Sequence, residues 1–192
     1  MQIILATLSP YRKEVFESLN IPFKVKASKV DESQLERGDP GKLVRELAKL
    51  KAEAVAKNYK DAIVIGFDSV GFFNGKILEK PKSEKEAFKR LKSLSGKKHY
   101  HYTGIHIINT AKGKRISKVD KISIFMRAFS DKEIKKYLKS DPAFNTFALG
   151  YNTQKYISAS FIRKIEGNHL NLLGIPLSVL MQMLNKIGYK LK

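Results

Sequence analysis

The chain contains no cysteine, which excludes disulfide scaffolding and thiolate catalysis and makes a reducing, cytoplasmic setting the expectation. Acidic residues are scarce: 18 Asp and Glu stand against 37 Lys and Arg, a formal net charge of +19 at neutral pH. That balance favours an anionic partner, whether nucleotide, nucleic acid or acidic surface. The lysines are spread along the whole chain, so the excess does not form a tail. Long hydrophobic runs are also missing; even LLGIPLSVLMQML is broken by Gly174 and Pro176, too short to cross a bilayer, and no membrane partner is expected. The opening MQIILA is strand-like and runs straight into a helix start, unlike a signal peptide. There is no GxxxxGK[ST] phosphate loop, no GxGxxG, no HExxH and no nucleophile elbow. Repeats, low-complexity tracts and linkers are absent. The 192 residues therefore read as one unit over 1–192, with at most two lobes around a cleft.

What is present alternates between strand and helix. After the first strand and helix come the strand PFKVKA, an apolar-periodic helix from about Gly41 to Asn58, and the buried-strand run AIVIGF at 62–67. Asn74-Gly75 between short apolar runs predicts a hairpin. A helix through SEKEAFKRLKSL follows, then two alternating segments, HYHYTGIHII and KISIFMRAF, joined by the turn AKGK. Ser130 and Asp131 open another helix that Asp141-Pro142 stops; YISASFIRKI reads as a strand, and a last helix starts at Pro176. The pattern predicts one α/β unit with a mixed sheet, whose later strands pair antiparallel.

Several residues are out of place in that frame. In LATLSPYRKE, Ser9 is a good N-cap and Pro10 suits the first helical position, yet the first turn then carries Arg12 and Lys13, which the positive end of the helix dipole repels. Lys51 falls near the middle of a stripe formed by Leu43, Val44, Leu47, Ala48, Leu50, Ala54 and Val55. It either snorkels to water or meets an anion in a cleft. Asp68 directly follows the AIVIGF strand, and open α/β sheets bind ligands beyond the carboxyl ends of their strands. It is either a turn carboxylate or a site acid. Lys80, held extended by Pro81, projects a charge from the end of the hairpin. His99 and His101 share one strand face, a pattern more typical of surface or interface histidines than of a metal pair. Asp31 and Glu32 in VDES read, alone, as an exposed turn pair.

Together these stretches resemble the Maf-like nucleoside triphosphate pyrophosphatases. The family opening, Leu-Ala-Ser-x-Ser-Pro-Arg-Arg-x-Glu, is matched at Leu5, Ala6, Thr7, Ser9, Pro10, Arg12 and Glu14. The likeness continues through Asp31-Glu32, LAKLKAEAV with Lys51, GFDSV with Asp68, GKILEKP with Lys80, LKSLSGKKHYHYTG and FIRKIEGNHLNLLGIPL, in the family's order. The resemblance implies a Maf/ITPase-like mixed twisted sheet flanked by helices around a central cleft. It also implies hydrolysis of a nucleoside triphosphate, standard or modified, between its α- and β-phosphates, with Mg²⁺ or Mn²⁺ as cofactor. Asp68 would be the catalytic acid, acting as base toward water or holding the metal together with Glu32. Ser9, Arg12, Lys51 and Lys80 would bind phosphate, and a triphosphate would outweigh the repulsion in the first helical turn.

The departures matter as much. Tyr11 stands where the family has an arginine, and Ser69 where it has threonine. The usual Asp-Lys-Ala-Gly falls on Phe147, Ala148, Leu149 and Gly150, and the later Gln on Lys155, with Gln154 one place off. Either the loop carries a one-residue adjustment that lets Gln154 serve, or the Gln role is lost. Because family members differ in base preference around Tyr11, Ser69 and Gln154, the resemblance does not carry over a particular nucleotide. Family members often pair as homodimers. The alternative reading is a non-catalytic descendant that binds nucleotide or nucleic acid through its positive charge.

Overall fold

Apolar strand runs and two crossover helices build the first half of the protein, whose computed structural model describes residues 1–153 and 156–189. β1 (Gln2–Ala6) pairs in parallel with β2 (Phe23–Val25) and with β3 (Ala62–Phe73). The connections are α1 (Pro10–Ser18) and α2 (Pro40–Ala56). Asp39 starts α2 by accepting from the Gly41 and Lys42 amides, leaving Pro40 at the first position, where a missing N–H costs nothing. β3 outruns its apolar core of 62–67 because Asp68 to Phe72 continue to pair with the next long strand. At its end Asn74 and Gly75, both at positive φ, make the tight turn into β4 (Lys76–Leu78).

The second half is antiparallel. α3 (Glu84–Leu94) leads to β5 (Lys98–Asn109) and β6 (Lys114–Met126). α4 (Asp131–Ser140) begins with a capping box between Ser130 and Glu133. The expected strand over YISASFIRKI is divided: Tyr156–Ala159 forms one helical turn, α5, and only Ile162–Glu166 forms a strand, β7. Ser158 is buried in that turn, and its hydroxyl bonds the Asn152 carbonyl, a local contact that competes with strand pairing. α6 (Leu177–Lys186) ends the described elements. The strand order is β2-β1-β3-β5-β6-β7, with β4 added to β3.

One face of the sheet is covered by α1 and α6 near β1 and β3, and by α3 and α4 near β5 and β6. α2 covers half of the other face, and it lies almost on the backbone. A methyl group at Gly66 would collide with the Ala48 carbonyl, and one at Gly104 with that of Val44. Gly104→Ala is therefore expected to destabilise the protein by about 2 kcal/mol, the range of overpacked cores, seen as a lower denaturant midpoint at unchanged m-value.

His99 and His101 are not surface or interface residues, as their alternation suggested. Both side chains are buried on one face of β5, with exposures of 0% and 4%, and His99 Nε2 lies 2.9 Å from the Tyr151 hydroxyl. Burial lowers the His99 pKa to about 3 and that of His101 to about 4. The unfolded chain takes up these protons near pH 6.5. Their contribution to stability is therefore complete above that value and is lost as pH falls toward the folded values. Denaturation midpoints should drop from pH 7 to pH 5, and His99→Gln should flatten that drop; an unchanged slope in the variant would contradict the assignment.

Candidate functional site

The site begins with an interruption in pairing along one edge of β3. β1 stops at Ala6, opposite Gly66, and the antiparallel β4 reaches back only to its last residue, Leu78, opposite Gly71. Between them, residues 67–70 of β3 pair with no strand on that side among the described residues. Thr7, Leu8 and Ser9 turn the chain away into α1, and the gap opens into a cleft of about 720 Å³. A carbonyl left unpaired at such an edge needs another donor. Arg12 supplies it: Nη1 donates to the Phe67 carbonyl at 3.4 Å and to Thr7 Oγ1 at 3.2 Å. Nη2 donates to Ser69 Oγ at 2.9 Å and Nε to the Gly174 carbonyl at 3.2 Å. Ser69 Oγ in turn lies 2.8 Å from Thr103 Oγ1. The cation at the start of α1 thus folds back onto the sheet, where four protein oxygens offset its charge. Burial lowers its pKa to about 10, which leaves it charged at neutral pH.

Asp68 faces α2 across the same gap. Lys51 Nζ stands 2.6 Å from Asp68 Oδ1 and 2.9 Å from Glu32 Oε1. The lysine in the apolar stripe therefore meets two carboxylates, while Leu50 and Ala54, expected in that stripe, are only half-buried at its margin. Desolvation raises the Asp68 pKa; Lys51 and Arg12 oppose that rise, and the nearby Glu32 adds to it. Asp31 does not join them, since its carboxylate accepts from the Ser33 amide and hydroxyl.

Ser9, Tyr11, Arg12, Glu32, Lys51, Asp68, Ser69 and Lys80 all line this one cleft. Ser9 precedes α1, but its hydroxyl makes no capping bond. Tyr11 and Phe147, two departures from the family pattern 136 positions apart, touch each other with ring centroids 4.4 Å apart. The Tyr11 hydroxyl lies 3.3 Å from Thr146 Oγ1. Gln154 and Lys155 lie outside the described residues. The sequence reading missed Lys29, which enters the cleft from a left-handed turn with φ of 46°, and His101 on the cleft floor. It also missed Arg90, which donates to the carbonyls of Glu79 and Ala148 and pairs with Glu86 at 2.8 Å. Arg90 thereby ties the segment carrying Lys80 to the loop carrying Phe147. The only signal for it was an arginine in an otherwise ordinary amphipathic helix.

No cluster of three or more His, Asp or Glu side chains able to hold a metal occurs among the described residues. Two carboxylates do converge on one point, now taken by the Lys51 ammonium. Such a pair of hard oxygen donors fits Mg²⁺ or Mn²⁺, which take their other ligands from water and phosphate.

The fold and the cleft define an α/β protein with a mixed-charge cavity where its parallel strands end. Residues 2–187 match the family described as Maf-like protein, and the chain belongs to it. It is 34% identical to a dTTP/UTP pyrophosphatase of Dictyoglomus thermophilum, across 99% of this chain and 98% of that one. It is 37% identical to a nucleoside triphosphate pyrophosphatase of Synechococcus sp. strain JA-3-3Ab, across 98% and 95%. A solved HAM1 protein from Coxiella burnetii shares the fold, with a TM-score of 0.52 at 14% identity over 97% of this chain and 99% of that one. No helix among the described residues is long and apolar enough to cross a membrane.

Lys51→Met should leave the Asp68 carboxylate buried without its closest countercharge. The expected result is a loss of about 3 kcal/mol of stability at neutral pH, recovered in part as the carboxyl protonates on acidification. Chemical denaturation at pH 7 and pH 5 reads both; equal loss at the two values would count against the pairing.

Proposed function

We propose that the protein hydrolyses nucleoside triphosphates between the α- and β-phosphates, releasing a monophosphate and pyrophosphate. The reading rests on one observation above all: a desolvated carboxylate, Asp68, shares a cleft with Arg12, Lys51 and Lys80, which come from three separate segments. A polyphosphate is the ligand whose charge such a cavity offsets, and the names of the related proteins support that substrate class. In the reaction, the water oxygen bonds to the α-phosphorus as the bond from phosphorus to the bridging oxygen breaks. Asp68, its pKa raised by burial, accepts the proton lost by that water. Lys51 and Lys80 stabilise the negative charge that accumulates on the departing pyrophosphate. Arg12 adds a fixed positive field beneath the site, because nearly all its donors are already used by protein oxygens. Ser9 and the amides opening α1 bind a phosphate oxygen. Glu32 and Asp68 would hold a divalent cation, Mg²⁺ or Mn²⁺, which when bound neutralises phosphate charge and acidifies water.

Pyrophosphate release from a panel of standard and modified triphosphates, with Mg²⁺ or Mn²⁺, tests the proposal. The wild type should turn over at least one of them, and Asp68→Asn should lose about 10²-fold or more in kcat, the scale of general-base removal. The acidic limb of the wild-type rate profile should lie above the ordinary carboxylate range, since burial raises the group that must be ionised. Absence of turnover across the panel, or full activity in the variant, would overturn it.

A further inference from the structure

The cleft uses few of the protein's surplus cations. Another group of them lies on the sheet face that α2 leaves open. α2 carries its apolar cover of this face as far as Tyr102 and Val119, which pack against the cluster of Leu43, Val44, Leu47 and Val70, and past that edge Tyr100 and Phe125 are half-buried. The register there puts Lys98 opposite Phe125, Tyr102 opposite Lys121, and Phe125 opposite Lys164. Directly paired residues share a face, so rings and ammonium groups alternate across three strands. Each ring carries a cation. Lys98 Nζ lies 5.2 Å from the Tyr100 centroid and 4.8 Å from that of Phe125. Lys121 Nζ lies 4.2 Å from Tyr100 and 5.3 Å from Tyr102, and Lys164 Nζ 5.5 Å from Phe125. The three rings are only half-buried and the three lysines are exposed. Glu166, the acid beside them, is already paired with Lys164 at 2.7 Å. Glu166 also feels the charge of Lys98.

We propose that this lysine and aromatic face of β5, β6 and β7 is a second binding surface, separate from the cleft, for single-stranded nucleic acid. Charge selects a polyanion: one acid beside the patch, Glu166, faces Lys164 and Lys98, and the three lysines outnumber it in a chain of net charge +19. The rings narrow the choice further. A lysine resting over an exposed ring is weakly held, so it can move to a phosphate while a base takes its place on the ring, the stronger of the two contacts. Only a single strand presents base faces; in a duplex they are buried in the stack. Tyr100 and Tyr102, two positions apart on one strand, are separated by roughly 6.7 Å, about twice the 3.4 Å repeat of a stacked strand. An extended, unstacked chain matches that spacing. Stacking of this kind does not depend on base identity, so binding should be tolerant of sequence.

The test uses the full chain with a labelled 12-nucleotide oligothymidylate and a matching duplex, read by fluorescence anisotropy between 50 and 200 mM salt. Wild type should bind the single strand at least tenfold more tightly than the duplex. Because the chain has no tryptophan, quenching of its tyrosine fluorescence reports stacking directly. Lys98→Gln with Lys121→Gln changes only exposed side chains. It should weaken binding about tenfold and lower the slope of log affinity against log salt by about 1.4, the value for two phosphate contacts on a single strand. Tyr100→Ala with Tyr102→Ala should weaken binding as much at an unchanged slope. Circular dichroism and triphosphate turnover should be those of wild type in both variants, so failure here is separable from failure of the proposed hydrolysis. The proposal is overturned by absence of binding at low salt, or by equal affinity for the duplex with the tyrosine variant silent. It is also overturned by full competition from a triphosphate analogue, which would place the strand in the cleft. Loss of a wild-type dimer in the lysine variant would show a self-interface, and preferential binding to phosphatidylserine vesicles a lipid surface; either outcome removes it.

Discussion

Placing a carboxylate inside a protein requires compensation, and the Lys51–Asp68 pair is where this molecule meets that requirement. The pair spans a helix and a strand, so the position of α2 over β3 and the charge state of the cleft are one constraint. Gly66 and Gly104 let α2 lie close enough for the 2.6 Å contact to form, because neither residue carries a side chain that would lift the helix. Glu32 joins from the loop before α2 and leaves one ammonium between two acids. Net negative charge at that point is small without a ligand, which is compatible with receiving a polyanion beside it.

Arg12 answers the same demand from the opposite side of the sheet. A strand whose neighbours stop at Gly66 and resume at Gly71 leaves backbone polar groups exposed in the gap. The guanidinium satisfies one of them and binds Thr7, Ser69 and the Gly174 carbonyl together. It closes the base of the cleft while keeping the cleft positive. The conflict between Arg12 and the helix dipole is offset because oxygens of Thr7, Phe67, Ser69 and Gly174 take the donors of the guanidinium. Lys13, which does remain on the surface of α1, is offset by Glu17 at 3.4 Å.

The cleft wall also shows how two departures from a family pattern can be one event. Tyr11 and Phe147 are adjacent in space, so an aromatic contact stands where charged residues occur in the pattern the sequence resembles. Arg90 holds the loop behind Phe147 against the segment that carries Lys80, using backbone carbonyls on both sides. Cleft shape at this end therefore depends on a residue outside the cleft.

The order of strands and helices was legible in the sequence because it rests on local rules: apolar period, Asn-Gly at the hairpin, Ser130 with Asp131, and Pro at helix starts. Candidate site residues were legible where a charge broke an apolar pattern, as at Lys51 and Asp68, or where a motif repeated a family's spacing, as at Ser9, Arg12 and Lys80. YISASFIRKI misled because its alternation suits a strand, whereas the buried Ser158 finds its partner in a local turn. His99 and His101 misled because period 2 identifies a shared face but not what covers it. Which carboxylate meets Lys51, where Arg12 turns, how Arg90 joins two loops and which half of the sheet α2 leaves open were decided only by tertiary structure. These contacts join positions 11 to 162 apart, and contacts at that separation leave no periodic trace in the chain.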